Sequence, residues 1–178
     1  MRKLKTDELN RLSVDQYKSA PKLPLIIVLD NIRSQHNIGS VFRTADAFRC
    51  EAVYLCGITA TPPNREIHKT ALGSTDSVTW KYFPSTLQAI EELRIQQYQI
   101  CAIEQTDNSI PLDTFDADLN IPIALIFGNE VSGIDEHVLK LVDNCLEIRQ
   151  FGTKHSLNIS VAAGIVIWYF FQSGKKIY

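Results

Sequence analysis

Ile123-Ala-Leu-Ile-Phe-Gly-Asn-Glu-Val-Ser-Gly133 is a run of five apolar residues that leads directly into a turn with a glycine at each end. A short apolar run bounded by turn residues is typical of a buried strand. The turn is neither a P-loop nor a nucleophile elbow, because Gly-Lys-Ser/Thr and Gly-x-Ser-x-Gly are both absent. Glycine lets the backbone approach a ligand closely, so the turn amides could bind an adenosine-type cofactor beside Glu130. An ordinary strand-to-helix turn explains this segment equally well on its own.

Short β-branched runs elsewhere in the chain predict further strands, with helical patterns between them. The predicted strands are residues 25–29, 52–56, 98–103 and 123–127, with weaker ones at 77–82 and 145–148. Apolar residues recur at helical spacing over residues 38–48, and a second helix is predicted over 85–97, whereas 105–121 is predicted as a loop. Strands that alternate with helices indicate an α/β fold, with a mainly parallel sheet and helices on both faces.

The length and composition favour one domain. The chain has 178 residues, 45% of them hydrophobic, which suffices for one core. Residues 1–20 are predicted to form one amphipathic helix, an extension of a domain at 21–178. The charged start and the short first apolar run indicate no signal peptide. The apolar stretch at 159–171 is shorter than the roughly 18 residues of a membrane span, so we expect a buried helix covered on more than one side and no membrane contact.

The cysteines and histidines favour a reduced, cytoplasmic protein without a metal site. The four cysteines form no Cys-x-x-Cys pair, and the four histidines form no His-Glu-x-x-His motif. His155 and Ser156 are adjacent on a predicted extended loop, where neighbouring side chains point apart. A zinc hydrolase and a serine hydrolase are therefore disfavoured.

The charges are unevenly distributed although the net charge is only −2. Residues 1–24 contain six bases and three acids, whereas residues 104–147 contain ten acids and a single base, Lys140. Such asymmetry allows one surface to be basic enough for RNA. Chance scatter of surface charges explains it equally well.

A second segment with candidate site residues is Asn31-Ile-Arg-Ser-Gln-His-Asn-Ile-Gly-Ser-Val-Phe-Arg43. Asn37 lies where a helix N-cap belongs, and the helix places Arg43 on the face opposite its apolar residues. Gly39, four residues before Arg43, is expected to leave room for a large ligand at the guanidinium. A helix N-terminus and an arginine both favour a phosphate. The alternative is a capping asparagine and a solvated arginine.

The third segment, residues 148–164, runs from a strand end through a polar loop into the apolar helix. Ser156 and Asn158 lie where that helix begins. Polar residues in this position are more often helix caps than catalytic groups.

Together, in this order and spacing, the three segments resemble the signature motifs of the SPOUT superfamily, in its TrmH (SpoU) branch of tRNA and rRNA ribose methyltransferases. Residues 37–43 resemble motif 1, residues 127–133 motif 2 and residues 156–160 motif 3. The resemblance covers about residues 25–171. It implies methyl transfer from S-adenosylmethionine (SAM) to a ribose 2′-hydroxyl of a structured RNA. It also implies a C-terminal trefoil knot and a homodimer through the last helix.

The resemblance also implies two sets of site residues. The catalytic set is Asn37, Arg43, Glu130, Ser156 and Asn158. The SAM-binding set is Glu104, Gly128, Ile148 and Leu157. Relatives often carry Pro-Met where this chain has Arg149-Gln150, so its contacts to the adenine are expected to differ.

A guanidinium resists deprotonation because its pKa lies above about 12. We therefore expect Arg43 to bind the phosphate and stabilise the developing 2′-oxyanion, while the phosphate, Glu130 or water takes the proton. Two alternatives are a SPOUT methyltransferase acting on a base nitrogen and a knotted RNA-binding module without catalysis.

Overall fold

A seven-stranded sheet organises the protein. The computed structural model describes residues 1–173, apart from the side chain of Thr6. The strands are β1 (Leu23–Asp30), β2 (Cys50–Cys56), β3 (Thr79–Phe83), β4 (Gln99–Ile103), β5 (Ile110–Pro111), β6 (Ile123–Phe127) and β7 (Asn144–Glu147). They lie in the order β3-β2-β1-β6-β4-β7-β5, and each pair of neighbours is parallel. The predicted parallel α/β fold is therefore confirmed.

Helices cover the sheet on both faces, as predicted. They are α1 (Val14–Ser19), α2 (Gln35–Ala47), α3 (Arg65–Ala71), α4 (Ser74–Ser77), α5 (Thr86–Ile95), α6 (Glu136–Leu139) and α7 (Ile159–Ser173). Side chains alternate along β1: Ile27 packs into a core with α2 and α7, whereas Ile26 and Val28 pack into a second core with α5 and α6. Both faces of β1 are buried, which explains its almost continuous apolar sequence.

The N-terminal region differs from the single helix predicted for residues 1–20. It contains a short 3-10 helix, Thr6–Leu9, and then α1 as a separate element. The 3-10 helix ends at Asn10, whose φ of 49° is left-handed, and Ser13 caps α1 by accepting a hydrogen bond from the Gln16 backbone N–H. Tyr17 is buried beside α2, where its hydroxyl donates to the Ala45 carbonyl at 3.5 Å. Tyr17 therefore attaches this region to the domain.

The segment 105–121, predicted as a loop, also contains a strand. Within it, β5 pairs with β7 through Ile110 and Leu146 and through Pro111 and Glu147. The buried Leu112 follows in a 3-10 turn. The segment therefore completes one edge of the sheet.

The start of α2 corrects two predictions. Ser34, rather than Asn37, is the N-cap, and its hydroxyl accepts a hydrogen bond from the Asn37 backbone N–H at 3.3 Å. Gly39 is buried against α3, where a Cβ would collide with the Thr70 hydroxyl and the Ile67 carbonyl oxygen. The missing side chain of Gly39 therefore makes room for a neighbouring helix and not for a ligand.

Candidate functional site

A cavity of about 730 Å³ opens beside the carboxyl ends of β4, β6 and β7. Ligands of open parallel sheets bind at this end of the strands, and the volume is within the range of small-molecule sites. Seven of the nine predicted site residues line the cavity: Glu104, Gly128, Glu130, Ile148, Ser156, Leu157 and Asn158.

The turn after β6 forms one wall of the cavity. The backbone groups of Asn129 and Gly133 exchange hydrogen bonds of 3.0 and 2.9 Å. Gly133 has a φ of 68°, in the left-handed region that favours glycine. A Cβ on Gly128 would lie only 2.5 Å from the Ile134 backbone nitrogen. The turn therefore requires Gly133 for its left-handed backbone and Gly128 for its close backbone contact.

Glu104, which directly follows β4, binds this turn through its carboxylate. Its carboxylate accepts hydrogen bonds from the backbone N–H of Ile134 at 3.2 Å and of Gln105 at 3.0 Å. A Cβ on Gly133 would collide with the same carboxylate. The second glycine therefore allows Glu104 to lie directly against the turn.

Glu130 connects the turn to the start of α2. Its two carboxylate oxygens accept hydrogen bonds from the backbone N–H of Arg33 and of Ser34, each at 3.0 Å, and from the Asn37 side-chain amide at 3.2 Å. Partial burial acts to raise the pKa of Glu130, but these hydrogen bonds outweigh it and hold the pKa below its ordinary value. Glu130 is therefore an ionised group whose oxygens already have donors.

Asn158 joins the third segment to the same network. Its side-chain N–H donates to the Asn37 side-chain oxygen at 3.2 Å. Its own side-chain oxygen accepts from the backbone N–H and the hydroxyl of Ser160 at 2.9 and 2.6 Å, at the start of α7. Asn37, Glu130 and Asn158, far apart in the sequence, are thus connected by hydrogen bonds at the rim of the cavity.

Arg43 is a predicted site residue that does not belong to this network. It is exposed on α2, does not line the cavity, and makes no ion pair or hydrogen bond with any part of residues 1–173. It follows Asn37 by six residues, which is about 9 Å along the helix axis.

Ser156, another predicted catalytic residue, lines the cavity and is exposed.

Two residues that the sequence analysis missed hold the walls of the cavity. Asn129 donates from its side chain to the Asn31 carbonyl at 2.6 Å, and Gln105 donates from its side chain to the His155 carbonyl at 3.0 Å. Each lies two residues after the carboxyl end of a strand, β6 for Asn129 and β4 for Gln105. That position is the signal that could have identified them.

The lining of the cavity is both acidic and apolar. Glu104, Glu130, Glu136 and Glu147 supply carboxyl groups. Buried aliphatic and aromatic side chains supply apolar area: Phe127, Ile134, Leu146 and Ile159. This combination suits a ligand that carries both an apolar part and a positive charge.

Residues 1–173 contain neither a metal-ligand group nor a membrane-spanning helix. His, Cys, Asp and Glu side chains there form no group that could hold a metal ion. No helix in that part of the chain is both long and apolar enough to cross a membrane.

Comparison with known proteins gives consistent matches. Residues 24–168 match the SpoU rRNA Methylase family. A 23S rRNA (guanosine-2′-O-)-methyltransferase, RlmB of Neisseria meningitidis, is 31% identical over 153 residues, covering 86% of this chain and 60% of that protein. A crystal structure of an AdoMet-bound rRNA methyltransferase from Sinorhizobium meliloti is 26% identical, with a TM-score of 0.78 over 91% of this chain and 61% of that one.

The fold is also that of the A. aeolicus TrmH/SpoU tRNA modifying enzyme, with a TM-score of 0.81 at 23% identity, covering 92% of this chain and 82% of that one. The chain spans 60% to 65% of the length of the first curated relatives.

Proposed function

Because this chain belongs to the SpoU rRNA methylase family, we propose that it transfers a methyl group from SAM to a ribose 2′-hydroxyl of a structured RNA, either tRNA or rRNA. The observation that carries the proposal is the convergence of three distant segments on one hydrogen-bond network at the rim of the cavity. Asn37, Glu130 and Asn158 are connected there, and the last two line the cavity. Relatives that share the family and the fold act on rRNA at the guanosine 2′-oxygen or were crystallised with AdoMet.

The cavity fits SAM chemically. Its carboxyl groups suit the positive sulfonium and amino groups, and its apolar side chains suit the adenine. Glu104, Gly128, Ile148 and Leu157 are the proposed contacts, and SAM supplies an activated methyl group.

Arg43 is the proposed clamp for the RNA backbone. Its exposed guanidinium has no partner within residues 1–173 and can bind the phosphate beside the target ribose. In this position it also stabilises negative charge that develops on the 2′-oxygen. Asn37 and Ser156 orient the ribose, and Asn158 positions Asn37 through their hydrogen bond.

Glu130 is proposed as a positioning residue. Three donors already occupy its oxygens and its pKa is lowered, so it is a poor proton acceptor. Its role is to fix the first turn of α2 and thereby Asn37. The phosphate or water takes the hydroxyl proton instead.

We also propose a homodimer through α7. Val161, Ile165 and Trp168 are 40% to 50% exposed. Their spacing places them on one side of α7, next to Phe48, whose ring lies 5.6 Å from that of Trp168. A continuous apolar stripe of this kind is typical of a subunit interface.

Three further features belong to the same proposal. The C-terminal trefoil knot is proposed on the ground of family membership alone. A reduced, cytoplasmic setting is supported by four free cysteines, three of them buried. Residues 1–20 are proposed as an extension of a domain at 21–178, and the exposed bases Lys3, Lys5 and Arg11 of this extension are available to RNA.

The test is single-turnover methyl transfer from labelled SAM to unmodified tRNA and rRNA, followed by mapping of the modified atom. Arg43→Ala should slow transfer by roughly a hundredfold or more with nearly unchanged SAM affinity, because its exposed side chain supports neither the core nor the cavity. Arg43→Lys should be almost as slow, since an ammonium lacks the planar fork. Lys140→Ala removes an exposed charge elsewhere and should be fully active.

Other results would support the alternatives. A label on a base nitrogen would indicate a base methyltransferase. Binding of RNA without SAM binding would indicate an inactive module. Loss of SAM affinity in Arg43→Ala would place Arg43 in the cofactor site.

A further inference from the structure

The loop between β7 and α7 carries an aromatic side chain that the fold leaves in solvent. Phe151 is 94% exposed, the highest value for a large hydrophobic residue in the described part of the chain apart from Met1. The neighbouring Gly152 likewise has open space at its Cβ position, with no heavy atom of residues 1–173 within 4 Å apart from its chain neighbours. Because the ring is not buried by the fold, its faces are available to a binding partner.

The loop is held at both ends, which fixes the tip at the rim of the cavity. On one side the Arg149 guanidinium pairs with the Asp113 carboxylate. On the other, the Gln105 side chain donates to the His155 carbonyl at 3.0 Å. Gln150 and His155, which flank the tip, both line the cavity. Phe151 is therefore held close to the site of methyl transfer.

The residues around Phe151 favour RNA over a second protein copy. Gly152, Thr153 and Lys154 are all exposed and lack apolar side chains, unlike the stripe on α7. Lys154 makes no hydrogen bond or ion pair with residues 1–173, so its ammonium is available to a phosphate. Lysine is depleted from the cores of protein interfaces but common where phosphates bind.

We propose that Phe151 stacks on an unpaired base next to the target nucleotide and that Lys154 binds a neighbouring phosphate. An aromatic side chain stacks on the face of any base that is not already stacked in a helix. The ring therefore selects a loop or single strand as substrate, since the bases of a duplex are covered. This inference rests on the proposed function and names the substrate class of the same site.

The test compares variants for binding to a short fluorescent single-stranded RNA of mixed sequence and to the same RNA annealed as a duplex. Phe151→Ala should weaken single-strand binding by about 5- to 150-fold and leave duplex binding unchanged. Phe151→Trp should restore the affinity, whereas Phe151→Leu, which keeps an apolar side chain without a ring, should not. Lys154→Gln should lower the slope of log Kd against log salt by about 0.7.

Methyl transfer, SAM titration and light scattering on the same variants separate the explanations. Wild-type methyl transfer combined with unchanged RNA binding in Phe151→Ala would overturn this inference and leave the proposed function intact. Weakened SAM binding would show that the ring covers the cofactor, and loss of the dimer would show that it contacts a second copy. Either result would overturn the stacking role. Single-strand binding by the wild type without transfer would overturn the proposed function, while the Phe151 variants would still test the stacking.

Discussion

Substitution of Gly39 by alanine should destabilise the protein, although the same change in most helices has the opposite effect. Alanine is favoured over glycine in a helix interior by about 1 kcal/mol. At Gly39, however, the new methyl group would collide with the Ile67 carbonyl oxygen and the Thr70 hydroxyl, and it would lie 3.0 Å from the Ala71 nitrogen. Two of these atoms belong to the backbone of α3 and cannot rotate away.

The size of the effect follows from the movement of α3. Overpacking costs typically about 1–3 kcal/mol, and the upper end applies when backbone must shift. Subtracting the gain in helix propensity of about 1 kcal/mol leaves a loss of about 2 kcal/mol. At about 2–4 °C per kcal/mol, the melting temperature should fall by about 4–8 °C. The hydrogen bond from Thr70 to the His36 carbonyl, 3.0 Å long, would be disturbed as well.

Thermal and urea unfolding of Gly39→Ala measure this directly, with Ser40→Ala as the control on the neighbouring position. Ser40 is partly exposed, and within residues 1–173 its hydroxyl bonds only to the His36 carbonyl, so its loss should change stability by no more than about 0.5 kcal/mol. Because α2 also carries Asn37, Gly39→Ala should reduce methyl transfer in protein that is still folded. Unfolding at or above the wild-type temperature would refute the close packing of α2 on α3.

Three further changes test other parts of the structure. Burial raises the pKa of Asp30 despite its hydrogen bonds from Thr86 and Asn31. The stability of the wild type relative to Asp30→Asn should therefore be greatest below pH about 4 and decline as pH rises through the folded pKa. If the difference in the free energy of urea unfolding between the two proteins did not change with pH, this expectation would be wrong. Glu130→Gln should slow methyl transfer without removing a limb from its pH profile, and a lost limb would identify Glu130 as the base. Trp168→Asp should halve the mass seen by light scattering from twice 20.1 kDa, and an intact dimer would place the interface elsewhere.

The strands that are buried on both faces of the sheet were predictable, because their sequences are almost continuously apolar. The run at 123–127 coincides with β6, and those at 25–29 and 52–56 fall short of β1 and β2 by at most two residues at either end. By contrast, β5 has only two residues, one of them proline, and so has no periodicity to detect. Its existence depends on pairing with β7, a contact that local sequence does not encode.

The site was predictable as a set of segments but not in its internal contacts. Ser34 and Asn37 are both good helix caps, and the choice between them is fixed by Glu130, which accepts the Ser34 backbone N–H from a distant part of the chain. Gly39 could not be interpreted correctly because α3, which it contacts, lies about 30 residues farther along the chain. In both cases the local sequence was compatible with two roles for the residue, and a tertiary contact determined which role it has.

The position of β6 between β1 and β4 has a consequence for synthesis on the ribosome. In the finished sheet β1 is paired on one side by β2 and on the other by β6, which begins 93 residues after β1 ends at Asp30. Translation at about 5–20 residues per second delays β6 by roughly 5–20 s. During that interval the nascent chain exposes an unpaired, apolar strand edge of the kind that associates with other chains. The rate of translation, rather than the stability of the finished sheet, therefore determines how long the nascent chain is prone to aggregate.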